Sequence, residues 1–304
     1  MPTISSHDVV ILGGGLAGLS AALVLGRARR GVAVVNARGP RNAAAEAAHG
    51  FLTRDGAPPL ELVAMARREA ATYGVQLVDG AGVAAVRTDT GWRIELECGR
   101  MLEARHVIAA TGLQDVLPDL EGADEAWGRG LFQCPYCHGW EVRDRRLGVL
   151  GTTESSVHQA LLLRQWSPHV AFFTHTLEGL AEEDRLQLKE RGVPVIEGKV
   201  KALAGGAQGL VSVELDSGAA VACDGLFCEP EARVDAALTG AFGWTLRADG
   251  CVAVDGVGRT SVAGVWAVGN VTDPAAQLMS AAGDAYRTAV ALNAVLVEED
   301  TAQP

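Results

Sequence analysis

The pattern Gly13-x-Gly15-x-x-Gly18, set between the apolar run Val9–Leu12 and the alanine-rich run Leu16–Arg29, leaves this chain few folds to choose from. The first run reads as a short buried parallel strand and the second as a helix, so the glycines form the turn between them. Gly13 permits a tight turn, Gly15 lets the backbone approach a pyrophosphate, and Gly18 lets helix and strand pack closely. The helix N-terminus then stabilises the phosphate charge. Val32–Val35 supplies the next strand and completes a right-handed βαβ unit. This context favours a dinucleotide site over a glycine-rich turn in an unrelated α/β domain. Asn36 ends the second strand, where an Asp or Glu usually accepts hydrogen bonds from ribose hydroxyls. An amide still bonds a hydroxyl, but without the charge.

Arg38–Pro58 is rich in Gly, Pro, Asn and Ala and reads as an irregular loop, and Pro59–Tyr73 as a helix. Short strands are expected at Val75–Val78, Val83–Arg87, Trp92–Glu97, Met101–Glu103 and His106–Ala109, the last running into Thr111-Gly112. Pro118–Gly122 punctuates a change of composition and reads as a hinge. A second strand–loop–helix unit follows, with strand Leu147–Leu150, helix Glu154–Gln165, strand Val170–Thr174 and helix Leu177–Arg191. Another hinge near Arg247–Gly250 precedes strand Val265–Ala267, Gly269-Asn270 and a helix from about Ala275 to Val297. A first domain, 1–116 and 249–304, is thus interrupted by a second, 117–248.

At 304 residues and 48% hydrophobic, the chain is long enough for two domains and apolar enough to fill two cores. Its net charge of -11 argues against holding nucleic acid or an anionic membrane by electrostatics. Met1–Asp8 is short and polar and gives no leader, and no uninterrupted apolar run is long enough for a membrane span. The expected location is the cytoplasm.

Of Cys98, Cys134, Cys137, Cys223, Cys228 and Cys251, only Cys134 and Cys137 have a spacing that suggests chemistry. With Pro135 and Tyr136 between them they can close a small disulfide ring, and a nearby cation or helix terminus can stabilise one thiolate. Attack needs a thiolate, and release of the second sulfur needs proton transfer. His138, next in sequence, can serve both near neutral pH, although a histidine there is also compatible with an ordinary surface position. The competing readings are a coincidence of spacing and half a zinc site. A zinc site wants two more ligands at matching spacing, which Cys223 and Cys228 do not offer. The other four cysteines are expected to be small buried hydrophobes.

Together, Gly13-Gly14-Gly15-Leu16-Ala17-Gly18, Ala110-Thr111-Gly112, the Cys134/Cys137 pair and Trp266-Ala267-Val268-Gly269-Asn270-Val271 resemble the low-molecular-weight thioredoxin reductase family of FAD-dependent disulfide oxidoreductases. The resemblance spans essentially the whole chain. It implies an α/β fold of two nested Rossmann-like, three-layer β/β/α domains, in a homodimer. It also implies FAD held by Gly13, Gly15, Leu16, Ala17, Gly18, Asn36, Asn42, Thr111 and Gly112, with Gly269 and Asn270 at the ribityl chain. A helix beginning around Gln277 and Leu278 would point its N-terminus at the flavin ring. Cys137 would face the flavin and Cys134 would exchange with substrate. His138 stands where a thioredoxin reductase usually has an aspartate acid. With His49-Gly50-Phe51-Leu52, this makes the chain look more like the gliotoxin- and holomycin-type dithiol oxidases, with His49 near the isoalloxazine.

A thioredoxin reductase also needs a second glycine fingerprint, for NADPH. The matching place reads Gly151-Thr152-Thr153-Glu154-Ser155-Ser156, where only the first glycine survives. Phe172-Phe173-Thr174-His175-Thr176, after the next strand, lacks the arginines expected at a 2′-phosphate. NADPH is therefore doubtful. The expected partners are a small dithiol or disulfide, or a thioredoxin-like protein, with oxygen or ferredoxin as electron partner.

Overall fold

The run Val9–Leu12 is apolar at every position because both faces of its strand are covered. Val10 and Leu12 enter one core, while Val9 and Ile11 enter a second on the opposite face. Val9, Val10 and Ile11 are wholly removed from solvent, each burial worth about 1.5–3 kcal/mol. A computed structural model of the chain describes residues 4–37, 39–206 and 209–302. Met1–Thr3, in the polar opening segment, and Arg38, at the start of the expected loop, lie outside the described residues.

The chain begins with β1 (Ile4–Leu12), α1 (Leu16–Arg27), β2 (Val32–Asn36) and α2 (Pro59–Thr72). It continues through β3 (Gln76–Asp79), β4 (Gly82–Thr88), β5 (Gly91–Leu96) and β6 (Met101–Ala109). β1 starts earlier than the apolar run because Ile4–His7 pairs in parallel with Met101–Ala104. β6 is one strand where two were expected. Its first half pairs with β5 as well as β1, so Ala104 and Arg105 stay extended.

Next come β7 (Gln114–Val116), α3 (Ala123–Ala126), β8 (Leu131–Phe132), α4 (Pro135–His138), β9 (Leu147–Leu150) and α5 (Ser155–Leu163). β10 (Val170–Phe173), α6 (Glu182–Glu190) and β11 (Val195–Ile196) follow. Gly179, at φ +75°, keeps Leu177–Ala181 out of the helix expected to start there. Three antiparallel strands, β12 (Val200–Gly206), β13 (Gly209–Leu215) and β14 (Ala220–Ala222), lead to β15 (Gly225–Phe227) and β16 (Glu231–Arg233). The chain ends with α7 (Ala236–Phe242), β17 (Val265–Ala267) and α8 (Leu278–Ala302). α8 runs beyond the expected Val297 because its last turn is fastened. Glu299 and Asp300 pair with Arg105 at 2.7 Å each, Glu299 meets His106 at 2.9 Å, and Arg30 meets Asp300 at 2.6 Å.

Two compact units result, one made of 1–43, 51–114 and 232–304 and the other of 44–50 and 115–231. The return to the first unit comes at Ala232, earlier than the expected 249, because α7 packs on β4. In the first unit the sheet order is β3-β2-β1-β6-β5-β4, with β17 also on β6, and α1 packs against α8 on one face. The second unit has an all-parallel sheet, β11-β10-β9-β15-β8. α5 and α6 supply one face, with Leu163 and Leu188 in their core, and β12–β14 cover the other through Val200, Leu203 and Val213. Both units therefore have the layered α/β build. Among the described residues no helix is long and apolar enough to cross a membrane.

Candidate active site

Strand register assembles a crevice in the first unit. Leu12 lies beside Val35 and Ala109, and Ala109 beside Ala267, so β1, β2, β6 and β17 reach their carboxyl ends at one level. The residues that follow, Gly13, Asn36, Ala110-Thr111-Gly112 and Val268-Gly269-Asn270, line the crevice where open α/β sheets bind ligands. The Gly13 amide donates to Val35 O at 2.8 Å, with φ at +116° and no room for a side chain beside the Ala110 carbonyl. A Cβ on Gly18 would strike the Gly13 carbonyl, so Gly18 sets the approach of helix to strand. Gly15 is different: a Cβ there would meet nothing within 4 Å among the described residues. α1 starts at Gly15 with no side-chain cap and no acidic residue in its first turn. An open loop and uncapped amides fit a pyrophosphate.

Asn36 is turned to this loop, its Oδ1 accepting from the Gly14 amide at 3.1 Å. That leaves its amide nitrogen to serve a hydroxyl. Asn42 is half-buried in a turn whose neighbour Arg41 donates to Pro274 O at 3.2 Å. Asn270 Nδ2 donates to the carbonyls of Asp273 and Ala276 at 3.1 and 2.9 Å, shaping the approach to α8. Gln277 accepts from the Ala281 amide at 2.8 Å as the helix begins at Leu278, with no acidic residue in the first turn. Gly269, at φ +76°, abuts Ala17. These residues suit the dinucleotide and chain of a flavin cofactor.

The second unit holds the sulfurs. Cys134 and Cys137 are half-buried and flank the first turn of α4, where the Cys137 amide donates to Cys134 O at 3.1 Å. Pro135 at the first helical position presets that turn. His138 stacks on Phe132 with ring centroids 4.7 Å apart, and both its ring nitrogens are buried without a hydrogen-bond partner among the described residues. Burial holds its pKa below the ordinary histidine value, Glu141 opposes that shift, and His49 adds to it. His49 itself lies in the second unit, its Nε2 3.3 Å from Glu141 Oε1. Tyr136 and Trp140 are exposed beside the sulfurs, whereas Trp127 packs against the core.

Among the other cysteines, Cys223 and Cys228 are buried, which pushes both thiols up to about 12. Cys251 is buried too. Cys98 is exposed, contrary to expectation, because it sits in the turn after β5.

The second loop repeats the backbone of the first and fills it. Gly151 donates to Phe173 O at 2.7 Å, as Gly13 does to Val35. The Ser156 hydroxyl, at the place of the third glycine, accepts from the amides of Thr152 and Thr153 at 3.2 Å each. Thr153 Oγ1 donates to Glu229 Oε2 at 2.8 Å, and the Ser155 hydroxyl donates to the same oxygen. After β10, the Thr176 and Leu177 amides fold back onto Gly151 O. His175 Nδ1 accepts from the Val200 amide at 3.1 Å. These residues do not fit a nicotinamide dinucleotide.

Sequence reasoning missed Glu141, Ser156 and Glu229. Glu229 had no local signal: it faces the loop because the strand before it, β15, pairs with β9, and residues just past such strands face the crevice.

The model of the pyridine nucleotide-disulphide oxidoreductase family matches residues 7–288. The chain is 31% identical over 297 residues to thioredoxin reductase sirT of Leptosphaeria maculans, covering 90% of each protein. It is 33% identical over 184 residues to a probable thioredoxin reductase of Arthroderma benhamiae, a match covering 58% of this chain and 46% of that protein. The crystal structure of HlmI superposes with a TM-score of 0.92 at 47% identity, over 97% of this chain and 94% of that one. The chain belongs to the pyridine nucleotide-disulphide oxidoreductase family, as a flavin disulfide oxidoreductase of the thioredoxin reductase-like kind whose cofactor is FAD.

Proposed function

We propose that the protein is a dithiol oxidase that works without NADPH. Cys134 exchanges with a small dithiol, and the substrate leaves as its disulfide while the Cys134/Cys137 pair is reduced. FAD, when bound, supplies the two-electron acceptor that reoxidises the pair and passes the electrons to oxygen, giving hydrogen peroxide. Gly13, Gly15, Leu16, Ala17 and Gly18 would hold its pyrophosphate, Asn36 and Asn42 its adenosine side, and Thr111, Gly112, Gly269, Asn270, Gln277 and Leu278 its remainder. Oxidising a dithiol releases two protons with the electron pair, so the site needs a base.

The observation that carries this reading is His138. Its ring nitrogens have no hydrogen-bond partner among the described residues, and burial favours the neutral imidazole that can take a proton. His49, 3.3 Å from Glu141, assists as part of the same polar group. The filled second loop supports a reaction without a nicotinamide donor. A cytoplasmic homodimer belongs to the proposal through the family likeness.

A second reading, an NADPH-dependent reductase of thioredoxin or a ferredoxin-linked variant, is favoured by the names of the relatives above. Oxygen uptake by the FAD-loaded protein with a panel of small dithiols and with reduced thioredoxin decides between them. We expect uptake and peroxide with a small dithiol, unchanged by NADPH. Rapid anaerobic bleaching of the flavin by NADPH would reject the proposal.

A further inference from the structure

We propose that Glu229 is a built-in occupant of the second loop and the residue that bars phosphorylated ligands from it. The proposal rests on the reading above, in which no nicotinamide is used, and names the side chain responsible.

Register explains why this residue is there. Phe227 lies beside Val149, so Glu229, two residues on, falls level with Gly151, the first residue of the loop. The position is fixed from both sides. Cys228 is wholly buried with its amide on Phe132 O at 2.9 Å, and Pro230 is buried. From that platform Glu229 Oε2 accepts from the hydroxyls of Thr153 and Ser155, and its backbone carbonyl accepts from Thr152 Oγ1 at 3.4 Å. A loop of this build normally turns its donors toward a pyrophosphate. Here a carboxylate of the same chain takes that role.

Ser156 removes the remaining donors. It is fully buried, and its hydroxyl holds the two amides that an incoming phosphate would need. An external anion would have to displace a carboxylate fixed within the fold and then bear the repulsion of the displaced charge. Thr153 and Ser155, which suggest a degraded loop when read alone, act as ligands for an internal anion.

Calorimetry with inorganic pyrophosphate, and then with NADPH, tests this on the FAD-loaded protein, with thermal melting as a check on folding. Wild type and the exposed-surface control Glu190→Gln should bind neither. Glu229→Ala should bind pyrophosphate at least about tenfold more tightly than wild type. Glu229→Gln removes the charge but keeps the shape, and should show a smaller gain in the same direction. If the alanine variant does not fold, the glutamine variant decides alone. Wild type binding as tightly as the variants, or no gain in any variant that melts cooperatively, would overturn the assignment. The functional reading fails separately, through anaerobic bleaching of wild-type flavin by NADPH. No bleaching with no gain leaves that reading standing and sinks only the role of Glu229.

Discussion

The two glycine-type loops share a frame and differ in what fills it. Both follow a parallel strand, open a helix, and anchor their first glycine to the end of the next strand, through Val35 O in one and Phe173 O in the other. At Gly15 the first loop leaves open space and uncapped amides. In the second, Ser156 holds the amides and Glu229 the hydroxyls. The backbone of a nucleotide loop thus persists after its donors have been turned inward. Fold records descent, and the state of the donors records use.

The largest expected effect tests whether electrons enter only through the sulfurs. Cys134→Ser or Cys137→Ser should lower dithiol-dependent oxygen uptake by on the order of 10^4 or more. NADPH should restore none of it, and restoration would break the contrast between the loops. Next, Gly15→Asp should lower FAD affinity by on the order of 10^3 in flavin titrations, because it puts a like charge where the pyrophosphate goes. Melting of the FAD-free protein should change little, since nothing stands near that Cβ among the described residues. The matched change Thr153→Asp should leave FAD content untouched; a flavin-free Thr153→Asp protein would show that the loops are not independent.

His138→Gln should reduce turnover by about 10^2. Since burial lowers the folded-state pKa of His138, the unfolded chain binds the proton first as pH falls. Stability is therefore complete above the ordinary value of 6.5 and declines below it. Turnover should keep its basic form to below pH 6.5. The variant should lose that acid limb and show a flatter melting temperature between pH 7 and 5. His7, His106 and His175 are lowered in the same sense, so the difference between the two proteins is what counts. The smallest effect concerns labelling. At pH 8 an alkylating agent should reach Cys98 and the redox pair, while Cys223 and Cys228 react only on unfolding. Early labelling of Cys228, beside Glu229, would mean that the second loop opens.

Much of this was legible in the residues because glycine and strand patterns report backbone requirements. Gly13 and Gly18 are forced by close approach, and Val9–Leu12 by burial on both faces. Cys134 and Cys137 were visible through their spacing alone. Glu229 was not, since its role comes from register between β15 and β9, strands 75 residues or more apart in sequence. The continuity of β6 was hidden for the same reason: polar Arg105 looks like a break until its ion pairs are seen. Gly179 shows the reverse case, a local signal that ended an expected helix.

α8 has 25 residues, roughly 37 Å of rigid rod. One end lies by Gly269, and the other is bolted to Arg105, His106 and Arg30. Its foot and its head therefore move as one lever. Trimming the chain before Glu299, or fusing a bulky tag there, would unmoor the foot and loosen the start of the helix at Leu278 with it.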